Sequence, residues 1–219
     1  MQSFEGLCKL GETISGTGAD GTTLINHDKL GTIVTFPSYN PTGTQRGNKS
    51  RPARANQITA VLLRNVSGQT LLGKRLASVK LTAGYDPITG VDGYTIVSAN
   101  KASVLIDPWL DSNGVLSNDL FWAVIGGPAP VLLPLTGAQF AGGDIAVGNF
   151  LMSATVNATS GATTSGRISN VSIANATDAQ GAFDQANAVL GRALSARTTA
   201  NTTAGSDLLV QWFIKWGGH

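Results

Sequence analysis

Ser117-Asn118-Asp119-Leu120-Phe121-Trp122-Ala123-Val124-Ile125-Gly126-Gly127-Pro128 is the stretch that decides the fold class. Aromatic and β-branched residues run from Leu120 to Ile125, a polar turn leads into them, and Gly126-Gly127-Pro128 follows as a stop. The reading is a strand, the clearest in a chain whose background is Gly, Ser, Thr, Asn and Ala. From Leu120 to Gly143 there are 24 residues without a charge, a length that invites comparison with a membrane span. Pro128, Pro130 and Pro134, with Gly126, Gly127, Gly137, Gly142 and Gly143, exclude an ordinary spanning helix. The expectation is a strand followed by a Pro-rich loop.

Outward from this strand, other short apolar bursts are separated by turn formers. Gly31 to Phe36 and Gln57 to Val66 read as strands that can pair, and Ala77 to Thr82, Gly93 to Ser98 and Lys101 to Asp107 follow. Turns are expected at Asp86-Pro87, at Asp92-Gly93 and at Asp111-Ser112-Asn113-Gly114. Beyond Pro134, an apolar run lies within Asp144 to Val156, Asn157 to Gly166 reads as a flexible tip, and Arg167 to Ile173 alternates like a half-buried strand. Helical spacing between Asp178 and Ala196 is interrupted by Gly191, so a short helix to about Ala188 and then a strand over Gly191 to Ala196 is the preferred reading. Leu208 to Trp216 closes the chain as a strand paired with it. The fold class is therefore all-β: a barrel or sandwich of short antiparallel strands with long loops, an extended basic arm and at most one short helix.

The net charge of +2 hides an internal division. From Lys29 to Tyr85 there are nine basic residues and no acid, whereas residues 86–219 carry five basic residues against nine acids. On that basis residues 1–85 form a basic N-terminal region and 86–219 a β-rich body, as two units or as one continuous domain. Pro37 to Asn56 has three prolines, four basic residues and almost nothing apolar, so it reads as an extended arm. Arg46, Lys49, Arg51 and Arg54, with Tyr39 beside them, are the candidate partner-binding residues. No aromatic is interleaved among the four charges, which places protein contact ahead of nucleic acid.

The side chains that enzymes use are sparse. Cys8 is the one cysteine, so neither an intramolecular disulfide nor a thiolate cage is available, and no metal or cofactor is expected. His27 lies in a polar turn without a second ligand or a nucleophile elbow. Gly68 to Arg75 approaches a phosphate-binding loop, but Arg75 stands where Ser or Thr must hold magnesium and a strand follows in place of a helix. Asp107, Asp111 and Asp119 can pair as acid and base, yet their neighbours mark them as turn formers and strand-end caps. No catalytic set emerges, and the chain is not expected to be an enzyme. Trp109, Trp122, Trp212 and Trp216 can be sugar platforms. Phe121, Trp122, Trp212 and Trp216 lie in strands, however, and read as core or subunit-interface residues. Met1 to Lys9 carries an early acid and no apolar core, so it does not read as a secretory signal.

Asn118 to Pro128 resembles a pattern in the accessory head proteins of tailed bacteriophages, the capsid decoration or cement proteins. Asp107-Pro108-Trp109-Leu110, and Gly191 to Ala196 followed by a polar loop and a closing apolar strand, fit the same pattern across roughly the C-terminal half. The resemblance implies a β-rich, non-enzymatic, oligomeric protein, made in the host cytoplasm, that binds the outside of an expanded capsid and cements neighbouring major capsid protein subunits. It implies self-association, a homotrimer ahead of a homodimer, with no membrane partner. The chain departs from the pattern in its acid-free basic region and in an Ala/Gly/Thr-rich section from Thr136 to Gly166. The alternative reading is a carbohydrate or cell-surface binding β module, displayed on a virion or cell.

Overall fold

In a computed structural model the residues described are 7–36, 57–81, 88–94, 103–133, 144–153, 168–170, 189–198 and 207–214. They form β1 (Thr13–Ile14), β2 (Ile33–Phe36), β3 (Ile58–Asn65), β4 (Leu76–Leu81), β5 (Ile88–Tyr94), β6 (Ser103–Ile106), β7 (Leu120–Leu132), β8 (Phe150–Ser153), β9 (Ile168–Asn170), β10 (Gly191–Ala193) and β11 (Asp207–Phe213). Among the described residues the one helical element is a 3-10 turn, His27–Lys29. The fold is β-dominated. The arm at 37–56, the tip at 157–166 and the helix expected before Ala188 lie outside the described residues.

The strands β3, β5, β4, β6 and β7 pair in that order, and β7 pairs back onto β3, so the hydrogen-bonded circuit closes. The β3–β5 contact is parallel, through Arg64↔Gly90 and Asn65↔Val91, against the expectation of antiparallel pairing throughout. β2 extends β3 from outside the circuit, as the paired reading of those segments anticipated. β1 lies along the start of β7. β7 is 13 residues long and outruns the ring. Its second half carries a wholly antiparallel extension, β7–β11–β10–β8–β9, in which β10 and β11 pair as expected.

The opening segment is thus longer than its sequence indicated. Gly126-Gly127-Pro128 does not stop the strand, and residues 128–132 are strand rather than loop. Two features allow this. Ile125 is an extra residue opposite the Thr59/Ala60 step, a bulge in the β3–β7 ladder. Gly127 follows at φ +93°, where a Cβ would stand 2.0 Å from the Gln57 carbonyl oxygen. The prolines fit because of ladder parity. Leu194 N–H donates to Leu209 O at 2.8 Å and Phe213 N–H to Leu190 O at 3.1 Å, so the odd residues of β11 bond towards β10. The even residues, opposite Gly127, Ala129 and Val131, bond to β7. Pro128 and Pro130 occupy the intervening positions, where no N–H is needed.

Asp92-Gly93 is also reassigned. Ser78 pairs with Gly93 and Val79 with Val91, so Asp92 is the extra residue of a bulge inside β5 and not part of a turn. The strand expected from Gly93 begins instead at Ile88.

One hydrophobic cluster runs through ring and extension, from Leu62, Leu105 and Trp122 to Leu151, Val210 and Trp212. Residues 120–125 are buried on both faces, which is why their sequence is continuously apolar. Each large side chain there contributes up to about 1.5–3 kcal/mol of burial. Both indole N–H groups are satisfied, Trp122 Nε1 by Cys8 O at 2.7 Å and Trp212 Nε1 by Ala129 O at 3.0 Å. The Phe36 ring meets Trp122 edge-on at 5.2 Å.

Candidate functional site

Two features distinguish this β body: a strap locked across the ring, and an apolar outer face on the extension. The strap is the segment from Leu7 to Leu30. Asp107, at the end of β6 and fully buried, accepts from Gly11 N at 2.6 Å and Trp109 N at 2.9 Å. Asp119, at the entry to β7, accepts from Gly16 N at 3.2 Å. Arg64 on β3 donates from Nη1 to Gly16 O at 2.8 Å and Asn118 O at 3.1 Å, and from Nη2 to Ile25 O at 2.6 Å. Burial holds the Arg64 guanidinium below its ordinary value, and the charge of Asp119 opposes that shift. Burial likewise raises the Asp119 carboxyl, against the Gly16 N–H and Arg64. Beside them Asn65 is completely engaged: Nδ2 donates to Gln69 O, Val115 O and Leu116 O, while Oδ1 accepts from Ser67 N and Oγ. Buried polar side chains at the end of β3 therefore fix the neighbouring loops.

These contacts settle where the carboxylates considered for chemistry sit. Asp107 and Asp119 hold the strap, and Asp111 accepts from Asn113 N at 3.0 Å within its own turn. Burial pushes the Asp107 carboxyl up to about 6, partly countered by the Gly11 and Trp109 N–H groups. His27 is exposed on the 3-10 turn. The segment after Lys74 is strand β4, and Arg75 packs its guanidinium over the Tyr94 ring at 4.8 Å. Among the described residues no group of three or more His, Cys, Asp and Glu is placed to hold a metal ion, and no helix is long and apolar enough to cross a membrane.

Phe121, Trp122 and Trp212 lie in the core, and Trp109 is half-buried against it. None of the three described tryptophans is an open platform for a sugar ring. Trp216 lies outside the described residues, as do Tyr39, Arg46, Lys49, Arg51 and Arg54.

Large apolar side chains are exposed singly at Ile33, Leu72, Leu116 and Val147, and on the outer face of the extension four of them share one side of adjacent strands. Along β11 Leu208, Val210 and Trp212 point inward, while Leu209 and Phe213 are 42% and 43% exposed. Leu194, next after β10, lies beside Leu209 and is also exposed. Directly across four strands run Phe150, Arg192, Gln211 and Pro128, paired in that order. Arg192 stacks its guanidinium over the Phe150 ring at 4.3 Å. This face is absent from the sequence-based expectations. A signal for it was present: Leu208-Leu209-Val210-Gln211-Trp212-Phe213 lacks the polar alternation of a strand with one wet face.

No protein-family model matches this chain, and no curated protein matches it.

Proposed function

We propose that this chain is a non-enzymatic virion structural protein that binds the outer surface of an expanded bacteriophage capsid and cements neighbouring major capsid protein subunits. The observation that carries the reading is the exposed outer face of β11, β10 and β8, with Leu209, Phe213 and Phe150 in solvent on a strand set whose other side is core. Contiguous exposed apolar surface marks interaction sites. The resemblance of Asn118 to Pro128 to the decoration-protein pattern supplies the kind of partner.

The mechanism needs area and rigidity, not reacting groups. Buried apolar surface contributes about 25 cal/mol per Å², much of it offset by the cost of association. Repetition over a shell makes modest contacts effective when each molecule bridges two subunits. The ring and its locked strap supply a stiff body, and the basic segment holding Arg46, Lys49, Arg51 and Arg54 supplies cations for carboxylates on the coat. The protein self-associates on the shell, a trimer ahead of a dimer.

Purified, folded protein should co-sediment with expanded shells of the coat protein encoded alongside it and raise their resistance to heat. Failure of the folded protein to bind those shells, with capture on a glycan array instead, would replace this reading by the carbohydrate-binding one.

A further inference from the structure

The outer face of the extension carries a charge pattern that specifies its partner. Among β7, β8, β9, β10 and β11 the one acid is Asp207, at the rim, and its Oδ2 is held by Lys74 Nζ at 2.6 Å. Arg192 stands in the middle, exposed, with the Phe150 ring against its guanidinium. Stacking occupies the plane of a guanidinium and leaves its N–H edge free to bind a planar anion in two places. Around it are Leu209, Leu194 and Phe213, with Pro128 and Pro130 half-buried at the β7 side.

We propose that this face docks an apolar protein surface bearing a carboxylate opposite Arg192, and that this surface belongs to the coat subunit. The inference rests on the capsid-binding reading and names the contact through which it works. Charge decides against a two-fold pairing of this face with itself. In a two-fold self-contact whose axis runs along the Phe150–Arg192–Gln211–Pro128 row, Arg192 meets Arg192, and the one acid of these strands is already ion-paired. A coat carboxylate removes that repulsion and, once covered by Leu209 and Phe213, is drawn to Arg192 in a drier environment. The sequence of β11 agrees, since a strand apolar on both faces is the kind that is covered on both faces.

The test titrates expanded coat shells with the wild-type protein and with Arg192→Gln, Arg192→Lys and Leu209→Ser, read by co-sedimentation at low and moderate salt. Sedimentation equilibrium of the free proteins and thermal melts accompany it. Arg192→Gln should weaken shell binding roughly 10- to 100-fold and reduce its salt dependence, with Arg192→Lys intermediate, because lysine keeps charge but loses the planar fork. Melting should be unchanged for both, since Arg192 is exposed. If Leu209→Ser fails to fold, the two Arg192 variants carry the test alone. Wild-type binding matched by Arg192→Gln would overturn this contact and leave the capsid reading standing. A wild-type protein that ignores the shells would remove both. A shift in the self-association of free Leu209→Ser or Arg192→Gln would assign the face to a second copy and overturn the proposal.

Discussion

Arg64 Nη1 lies 2.8 Å from the carbonyl oxygen of Gly16, and this contact closes the strap over the ring. The two residues fit because neither has slack. A Cβ at Gly16 would stand 1.5 Å from Asn118 O and 2.7 Å from Arg64 Nη1 itself. Arg64→Met removes the three hydrogen bonds that the guanidinium makes to Gly16 O, Asn118 O and Ile25 O, leaving Gly16 O with the Ile25 N–H alone. Hydrogen bonds from a charged donor are worth about 1.5–3 kcal/mol each and do not simply add, so a loss of about 3 kcal/mol or more is expected. Urea unfolding measures it. Limited proteolysis should show new cuts between residues 16 and 25, and a variant as protease-resistant and stable as wild type would show that the strap is held elsewhere.

Gly127 is the hinge between ring and extension, and alanine there meets two obstacles at once. The backbone is at φ +93°, and the new Cβ would fall 2.0 Å from Gln57 O. The expected cost is about 3 kcal/mol or more, beyond what left-handed backbone alone imposes on a side chain. Thermal denaturation of Gly127→Ala should therefore drop by many degrees. A shift within a degree or two would mean that β7 tolerates a side chain at this position.

The contrast between these elements explains what the sequence disclosed. β3 and the first half of β7 were legible because both their faces are buried, so their apolar runs are continuous. Gly126-Gly127-Pro128 reads locally as a stop because its meaning depends on β11, some eighty residues later, whose parity leaves the prolines without a ladder duty. Asp92-Gly93 reads locally as a turn, and only pairing with Ser78 and Val79 makes it a bulge. Nothing beside Arg64 in the chain announces that a cation will be buried among carbonyls. The outer face of β11 shows in the sequence only as a missing alternation, the mark of a strand apolar on both faces.

The basic segment provides a separate test of the capsid reading. Arg46, Lys49, Arg51 and Arg54 lie within nine residues that carry no acid, so their attraction to surface carboxylates is long-range and screened by salt. Replacing all four by Ala should lower the on-rate for expanded shells by about tenfold at low salt and leave the melting temperature unchanged. Association kinetics by light scattering would decide it. An unaltered rate would exclude this segment from the encounter.

Asp107 makes the stability of the body depend on pH. Its carboxyl is pushed from 3.8 up to about 6, with burial the largest cause and the Gly11 and Trp109 N–H groups opposing it. The native state therefore holds this proton more tightly than the unfolded chain. The stabilisation from that proton is complete below about pH 4 and is lost as pH rises through 6, amounting to about 3 kcal/mol over the window. Other acids contribute slopes of their own, and Asp20, whose carboxyl is lowered chiefly by the Thr23 hydroxyl, has the opposite sign. The comparison that isolates Asp107 is thus with Asp107→Asn. The amide cannot titrate, and its NH2 group cannot accept, whereas both oxygens of the carboxyl, protonated or ionised, can accept from Gly11 and Trp109 N–H. Asp107→Asn should be less stable than wild type at pH 4, and the gap should narrow as pH rises to 7, because only wild type loses a bound proton. Urea midpoints of the two proteins across that range measure the convergence. A constant gap would mean that Asp107 titrates in the native protein as it does in the unfolded chain, and that its burial between β6 and the strap is relieved by solvent.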